Sequence, residues 1–296
     1  MTAIIEVAHL TKRFGQVVAV DDASFSVPEP GIVGLLGRNG AGKTTLMQLI
    51  TGQEFATRGT VLMFGASPVE NAAVLSRTCF IKESQTYPDG FKGSHVLRAA
   101  SWVYPNWDQA LADELVAELR VPLDRRMKKM SRGQSSAVGI VVGLASRAEL
   151  TIFDEPYAGL DAVARHVFYD RLLADYALHP RTVIMSTHLI DEVADLLEHV
   201  LVIDGGRLII DAPAEDLRGA ASTVSGPRGA VERFTAGRDV LATEGLGGLA
   251  TATVAGLGDL DRAAARNAGL ELGAVSLQQL VVSRTRGATV REDAAS

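Results

Sequence analysis

Short apolar runs separated by glycine, proline and polar residues fill the first part of the chain, a pattern typical of β-strands. Residues 4–10 and 17–20 flank a polar turn and predict two short antiparallel strands, with Phe14 at the turn. Residues 23–27 predict a further strand, and the apolar run at 32–36 leads directly into a glycine-rich loop. The pattern therefore predicts antiparallel strands at the N-terminus, ahead of this loop.

Later segments mix helices with strands. Residues 94–130 carry Ala, Leu and charged residues at helical spacing, which predicts a helical insertion with candidate N-caps at Ser94 and Asn106. Its aromatic residues, Trp102 among them, are expected to pack between helices because they follow the amphipathic pattern. The other predicted elements are strands at 59–64, 79–81, 150–153 and 183–185, helices at 135–145 and 162–177, and a hairpin at 200–210.

The loop after the strand at 32–36 is the most specific chemical signal in the chain. Gly37, Gly40 and Gly42 allow backbone N–H groups to turn inward around phosphate oxygens. Lys43 supplies a positive charge for the β- and γ-phosphates, and Thr44 places a hydroxyl where a phosphate-bound Mg²⁺ would sit. The apolar spacing that follows predicts a helix whose N-terminus faces the anion. The residues thus predict a phosphate-binding loop; the alternative is a glycine-rich turn that matches the pattern by coincidence. Many unrelated enzymes and switches use such a loop, so the rest of the chain has to decide the function.

Two adjacent carboxylates follow the predicted strand at residues 150–153. Asp154 and Glu155 stand directly at its carboxyl end. Burying both is costly unless a metal ion or proton chemistry uses them. This strand end is therefore a second candidate site.

The composition favours a folded protein of a reducing compartment. The chain has 296 residues, 47% hydrophobic content and a net charge of −6, which suits one large domain plus a smaller one and argues against a generally basic nucleic-acid binder. Cys79 is the single cysteine, so no intrachain disulfide can form. The N-terminus shows no signal-peptide pattern, and the longest apolar stretch, at 137–145, is far shorter than the roughly 20 residues of a membrane-spanning helix. Any membrane role is expected to come through a partner.

The composition shifts to Gly, Ala, Thr and Ser beyond residue 219. Residues 250–254 resemble a strand and 259–268 a helix, which predicts a small α+β domain over 219–286. Residues 287–296 are expected to form a flexible tail.

Taken in order, these motifs resemble the nucleotide-binding subunit of an ABC transporter over residues 4–213. The matching segments are Walker A at 37–44, the signature Met-Ser-Arg-Gly-Gln at 130–134 (usually LSGGQ), Walker B with its glutamate at 152–155, the D-loop at 158–161 and the switch histidine His188. Their order and spacing together carry the resemblance.

The resemblance implies an α/β fold of the ABC-type P-loop NTPases. That fold has a parallel core sheet flanked by helices, N-terminal antiparallel strands and a helical subdomain, here at about residues 89–146. The ATPase domain is then expected over residues 1–218, with the small α+β domain as a C-terminal appendage.

The resemblance also implies a role for each site residue. Asp154 would hold Mg²⁺ together with Thr44, and Glu155 would orient and deprotonate the attacking water. His188 would hydrogen-bond the γ-phosphate. Phe14 would stack on adenine, although its local sequence equally allows an ordinary apolar turn residue. The residues expected to act in catalysis are Glu155, His188 and Lys43. The residues expected to bind ATP are Phe14, Gly37, Asn39, Gly40, Ala41, Gly42, Lys43, Thr44, Thr45, Ser131, Gly133, Gln134 and Asp161.

Two positions depart from the family pattern. Arg132 stands in the signature where the family usually has glycine, which places a cation beside the nucleotide of the partner site. In the Q-loop, where a glutamine normally contacts Mg²⁺ and the transmembrane partner, simple counting places Lys82 or Glu83. Gln85 has the expected chemistry but lies farther on, so either Gln85 or Glu83 could complete the Mg²⁺ site.

In this family the signature helix of one subunit completes the ATP site of another. One Walker A loop and one signature therefore imply a second nucleotide-binding subunit, in a homodimer or a heterodimer. The expected function is an ATPase that uses ATP and Mg²⁺ to power a separate transmembrane permease, for export in a bacterial system. The chain is then expected to be cytoplasmic and peripheral on the inner face of the cell membrane, with no nucleic-acid partner.

Two other functions use the same phosphate loop. A soluble ABC-type ATPase acting on nucleic acid or ribosomes usually carries two ATPase units in one chain, a coiled-coil insertion or basic tails. A small-molecule kinase leaves the signature and His188 unexplained. Both are weaker matches to the motif order.

Overall fold

A computed structural model describes residues 3–83 and 85–293 of the chain, with side chains up to residue 285. The described residues divide into two compact units: those within 1–188 together with 203–208, and those within 189–202 together with 209–296. The expected domain boundary near residue 218 falls inside the second unit and stays a prediction.

The strands of the described residues are numbered along the chain: β1 (Ile5–Phe14), β2 (Val17–Val27), β3 (Ile32–Leu36), β4 (Arg58–Met63), β5 (Thr78–Ile81), β6 (Leu150–Asp154), β7 (Thr182–Thr187), β8 (His199–Asp204), β9 (Arg207–Pro213), β10 (Ala221–Pro227), β11 (Val240–Leu246), β12 (Leu249–Ala255) and β13 (Glu271–Ala274). The α-helices are α1 (Lys43–Ile50), α2 (Ala72–Leu75), α3 (Gly93–Val103), α4 (Gln109–Glu118), α5 (Arg132–Ala145), α6 (Ala162–Leu178), α7 (Ile190–Val193), α8 (Ala214–Leu217), α9 (Arg228–Thr235), α10 (Asp259–Asn267) and α11 (Leu277–Asp293).

The N-terminal strands form an antiparallel sheet in the order β2-β1-β4. The strand β2 is continuous where the hydrophobic pattern predicts two strands. Asp22 has a φ of 53°, and the pairing of β2 with β1 shifts register between Val20 and Ala23. The polar break in the pattern is therefore a β-bulge within one strand, and not a connection between two.

The core of the first unit is a parallel sheet in which β5, β6, β7 and β3 lie side by side in that order. Every residue of β3, β6 and β7 is buried. Such uninterrupted burial is typical of parallel strands that are covered on both faces. Because parallel strands share one carboxyl edge, the segments that follow β3, β6 and β7 come together there.

The helical insertion contains α3, α4 and a 3₁₀ turn at Met127–Lys129. The N-caps differ from the predicted ones: α3 follows Lys92, and the carboxylate of Asp108 accepts a hydrogen bond of 2.9 Å from the backbone N–H of Leu111 at the start of α4. The prediction that Trp102 packs between helices is wrong, since 78% of the residue is exposed. Among the described helices, none is long and apolar enough to span a membrane.

The helix α5 packs on the core sheet through glycine. A Cβ at Gly143 would overlap the ring of Phe153 on β6, and a Cβ at Gly139 would lie 2.8 Å from Ile81 Cγ2 on β5. Phe153 is fully buried and its ring packs edge-on against Phe168, with 5.3 Å between ring centres, which restricts its movement. The small residues of α5 thus set how closely the helix approaches the sheet.

The second unit has an antiparallel sheet in the order β11-β12-β10-β13. Val224 and Val254 of this sheet pack with Val231 and Phe234 of α9 in a common core. The strand and helix predicted at 250–254 and 259–268 are confirmed as β12 and α10. The expected flexible tail begins within the last turns of α11 and ends at residues 294–296, which lie outside the described residues.

Replacing Gly143 with alanine tests the packing of α5. The helix gains propensity of up to about 1 kcal/mol, but overlap with Phe153 costs about 1–3 kcal/mol because the core is overpacked. We expect a net fall in the free energy of unfolding, measured by urea denaturation. Gly90→Ala is the control, because a methyl group at that position would have no atom within 4 Å; a Gly143→Ala variant at least as stable as the wild type would contradict the packing.

Candidate functional site

The loops after β3, β6 and β7 meet at the carboxyl edge of the core sheet. Leu36 at the end of β3 is paired with Thr187 of β7, and Asp154 at the end of β6 is paired with Ser186. The glycine-rich loop, the two carboxylates and His188 therefore leave the sheet from neighbouring strands. Ligands of open parallel sheets bind at this edge.

The glycine-rich loop has a backbone that only glycine allows at its two ends. Gly37 has a φ of 152°, and Gly42 has a φ of 109° immediately before α1. A Cβ at Gly37 would overlap the carbonyl oxygen of Ile203, and one at Gly42 would overlap that of Ala19. Between them lie Asn39, Gly40 and Ala41, and Thr45 follows in the first turn of α1. The loop is thus built to expose backbone N–H groups at a helix N-terminus, which suits an anion.

Lys43 is buried in this loop, with 7% of the residue exposed. Its Nζ donates to the carbonyl oxygens of Gly37 at 2.8 Å and Arg38 at 3.2 Å. Burial lowers the pKa of Lys43, while the nearby carboxylates of Glu155, Asp154 and Glu83 act in the opposite direction. The ammonium group therefore sits over the loop and is balanced by carboxylates.

Thr44 and Asp154 form a pair of oxygen groups at the start of α1. The hydroxyl of Thr44 donates to Oδ2 of Asp154 at 2.8 Å. Asp154 is 3% exposed, and burial raises the pKa of its carboxyl group, although the nearby hydroxyl groups of Thr44 and Ser186 lower it. A buried carboxylate beside a hydroxyl is a donor set that suits Mg²⁺, which prefers oxygen and keeps much of its shell as water and phosphate. Within the described side chains, no group of three or more His, Cys, Asp or Glu residues could hold a metal ion.

Glu155 is buried next to His188 and has an unusual backbone. Its Oε2 lies 2.7 Å from Nδ1 of His188, and its φ is 48°, in the left-handed region that non-glycine residues disfavour. The same Oε2 accepts a hydrogen bond of 2.8 Å from the hydroxyl of Tyr157. Sequence reasoning did not single out Tyr157; the signal available was a hydroxyl-bearing aromatic two residues after the glutamate.

Glu83 is a Q-loop residue whose negative charge acts on the phosphate site. It adds to the effect of burial in raising the pKa of Asp154, and it partly offsets the effect of burial in lowering the pKa of Lys43. Gln85 lines a small cavity together with Glu83 and Glu155. Position 84, between them, lies outside the described residues. Gln85 carries no charge, so this effect does not choose between the two residues, and which of them completes the Mg²⁺ site stays a prediction.

Arg132 of the signature forms an ion pair with Glu83, its Nη2 donating to Oε1 of the glutamate. The side chains are 63% and 41% exposed, so solvent screens the pair. The contact joins the start of α5 to the Q-loop. The two departures from the family pattern are therefore in direct contact with each other.

The other signature residues build the N-terminus of α5. Ser131 Oγ accepts from the backbone N–H of Gln134 at 3.2 Å, and Gln134 Oε1 accepts from that of Ser131 at 3.1 Å, a capping box. A Cβ at Gly133 would overlap the carbonyl oxygen of Gly159 in the D-loop. Asp161 caps α6, accepting from the backbone N–H of Ala164 at 2.8 Å. The signature and the D-loop thus pack backbone against backbone at Gly133 and Gly159.

Phe14 lies at the end of β1 and is 47% exposed. Lys12 Nζ is 4.7 Å from the centre of its ring. The ring is therefore accessible for stacking, and a cation lies beside it.

Comparisons with known proteins place this site in a family. The family model described as ABC transporter matches residues 20–158. An ABC transporter ATP-binding protein of Halobacterium salinarum is 33% identical over 225 residues, covering 73% of this chain and 96% of that protein. The Nod factor export ATP-binding protein I of Mesorhizobium japonicum is 30% identical over 225 residues, covering 73% of this chain and 65% of that protein.

Solved structures agree in fold. The ATP-binding subunit of an ABC transporter superposes with a TM-score of 0.65 at 24% identity, over 72% of this chain and 91% of that one. A dimeric ATP-binding cassette in a post-hydrolysis state, bound to ADP and Pi, gives 0.62 at 18% identity, over 71% of this chain and 98% of that one.

The fold and the phosphate loop define an ATP-binding P-loop ATPase, and the predicted α/β fold of ABC type is confirmed. The chain belongs to the ABC transporter family, in which it is an ATP-hydrolysing ATP-binding subunit.

Asp154→Asn tests the free-energy cost of burying the Asp154 carboxylate in the folded protein. The raised pKa means that the folded state disfavours the charged form of Asp154. This destabilises the folded protein fully at pH values above the pKa in the folded state. The destabilisation disappears at pH values below the pKa of an ordinary carboxyl group, near 4. We expect Asn to raise the Tm of the nucleotide-free protein at pH 7, by about 2–4 °C for each 1 kcal/mol. The gain should shrink as the pH falls toward 4.

Asp175→Asn is the matched control, since Asp175 is also buried but is paired with Arg147 and Arg181 at 3.0 and 2.7 Å. Breaking these pairs should destabilise the protein by about 3–5 kcal/mol. A lower Tm for Asp154→Asn at pH 7 would contradict the inference that the buried, ionised Asp154 carboxylate destabilises the folded protein.

Proposed function

We propose that this chain powers a separate membrane permease of the export type, by ATP-driven closure of a dimer of ATP-binding subunits. The observation that carries the proposal is the cluster of Lys43, Thr44, Asp154, Glu155 and His188 at one sheet edge, with the signature held on its own D-loop. This cluster supplies the phosphate-binding and hydrolytic half of a site. The sequence has one such loop and one signature, so a second subunit would supply the other half.

Each residue of the cluster suits one task in hydrolysis. Lys43 would leave the carbonyl oxygens of the loop to bind the β- and γ-phosphates, and His188 would hydrogen-bond the γ-phosphate. Glu155 would take the proton of the attacking water, whose oxygen forms the new bond to phosphorus as the bond to the ADP oxygen breaks. Phe14 would stack on adenine, and Asp161 would act across the dimer interface.

The Mg²⁺ ion would be held by Thr44, Asp154 and Glu83, and when bound it neutralises phosphate charge. The Thr44 hydroxyl and the Asp154 carboxylate already point at each other, so little rearrangement of these side chains is required.

Closure of the dimer needs a defined amount of free energy. A near-complete switch requires ATP to favour the closed state by about 5.5 kcal/mol. Contacts of phosphate with Ser131, Gly133 and Gln134 of the second subunit, at a helix N-terminus, would supply part of it. A dimer has two such sites, so each site would supply part of the free energy needed for closure.

The permease would contact the helical insertion. Trp102 and Val103 at the end of α3 are 78% and 58% exposed, an apolar pair that a protein partner would cover. In this proposal the chain lies on the inner face of the cell membrane, held there by its partner. The similarity to a Nod factor export ATP-binding protein supports the export direction.

Glu155→Gln tests the hydrolytic role. Loss of the general base should lower kcat by about 10²–10⁴-fold while ATP still binds, so ATP should trap a stable dimer, detected by size-exclusion chromatography with light scattering. Glu149→Gln is the control, because Glu149 is surface-exposed and paired with Arg77. A Glu155→Gln monomer that still turns over ATP would refute the proposal.

Glu83→Ala and Gln85→Ala distinguish the two Q-loop residues. Since the Glu83 charge acts on Lys43 and Asp154, its loss should raise the Mg²⁺ concentration for half-maximal ATP hydrolysis by about tenfold, the equivalent of about 1.4 kcal/mol. Gln85→Ala should change it little. Arg132→Ala controls for loss of the ion pair and should leave the Mg²⁺ requirement unchanged. A larger shift for Gln85→Ala than for Glu83→Ala would mean that Gln85, and not Glu83, helps to hold Mg²⁺.

A further inference from the structure

Tyr157 is a buried residue of the site to which the hydrolytic roles above give no task. It follows Glu155 and Pro156 and is 3% exposed. Its hydroxyl donates to Glu155 Oε2 at 2.8 Å and makes a second hydrogen bond with Oγ1 of Thr187. Its ring also packs edge-on against His188, with 6.2 Å between ring centres. Tyr157 therefore contacts the glutamate, the histidine and the end of β7 together.

Both donors to the Glu155 carboxylate use the same oxygen. Oε2 takes the Tyr157 hydroxyl at 2.8 Å and lies 2.7 Å from His188 Nδ1, and neither contact uses Oε1. The terminal torsion of a glutamate side chain is broad and has no strong rotamer of its own. The orientation of this carboxylate thus depends on these two contacts.

The direction of the hydrogen bonds follows from the number of protons. An ionised carboxylate can only accept, so the single proton of the Tyr157 hydroxyl goes to Glu155, and the hydroxyl of Thr187 donates to Tyr157. Burial raises the pKa of Tyr157 well above its usual value, so the donor keeps its proton at neutral pH. The chain of donors runs from Thr187 through Tyr157 to Glu155.

The backbone of Glu155 is fixed by the same strand end. Its N–H donates to the carbonyl oxygen of Ser186 at 3.2 Å, and its φ of 48° is one that tertiary contacts have to maintain. Ser186 and Thr187 are adjacent residues of β7. Consecutive residues of one strand therefore hold the main chain of Glu155 directly and its carboxylate through Tyr157.

We propose that Tyr157 is a positioning residue for Glu155: its hydroxyl, held by Thr187, fixes Oε2 so that Oε1 is the oxygen that receives the proton of water. Tyr157 neither gives nor takes a proton in this step. The inference rests on the proposed role of Glu155 as general base.

The first test is Tyr157→Phe, which keeps the ring and removes the hydroxyl. Loss of a hydrogen bond to a charged group should lower the kcat for ATP hydrolysis roughly 10- to 100-fold. The KM for ATP should stay within about twofold, because Tyr157 does not act through nucleotide binding. Tyr104→Phe removes another half-buried tyrosine hydroxyl, at the end of α3, and should leave kcat unchanged.

The second test changes Thr187 and leaves Tyr157 in place. Thr187→Ser keeps the donor hydroxyl and should retain kcat, whereas Thr187→Val removes it and should lower kcat with KM unchanged. Since Thr187 acts through Tyr157, the double variant Tyr157→Phe with Thr187→Val should be no slower than Tyr157→Phe alone. This pair keeps the inference testable if Tyr157→Phe does not fold.

The outcomes separate this inference from the proposed function. Wild-type kcat in folded Tyr157→Phe, equal effects of Ser and Val at Thr187, or additive losses in the double variant would each overturn the positioning role. If Glu155→Gln still hydrolyses ATP, the proposed function itself fails. Hydrolysis lost in Glu155→Gln but normal in Tyr157→Phe rejects the positioning role alone.

Discussion

The balance of buried charge at the carboxyl edge of the core sheet is the constraint on which the site depends. Lys43, Asp154 and Glu155 are each less than 9% exposed, and unpaired charges at such positions are costly. The Lys43 ammonium offsets the carboxylates and also ties down the carbonyl oxygens of the phosphate loop. The same Lys43 side chain therefore sets both the shape of the loop and the charge balance. A phosphate that binds Lys43 changes both together.

The strand β7 carries much of the remaining organisation. Its pairing places Ser186 beside Asp154 and Thr187 beside Leu36, the last residue before the phosphate loop. From this position Ser186 holds the backbone of Glu155, and His188 reaches its carboxylate. The parallel register fixes residues from three separate segments against one another, which no local sequence motif can do.

The two departures from the family pattern form one feature. Arg132 replaces a signature glycine and Glu83 stands in the Q-loop, and the two side chains, 49 positions apart, form an ion pair. The extra cation is therefore matched by a carboxylate of the same chain. The pair couples the start of α5 to the carboxylate that acts on Asp154.

The sequence by itself determined the phosphate loop, the strand ends that carry Asp154 and His188, the order of the motifs and hence the family. These signals lie in adjacent residues, so backbone and side-chain chemistry can be inferred locally. Only the tertiary structure decided that Glu83 acts on Asp154, that Trp102 is exposed, and that Tyr157 joins Glu155 to Thr187. Each of these depends on contacts between distant segments, because strand register and helix packing, rather than local pattern, bring the side chains together.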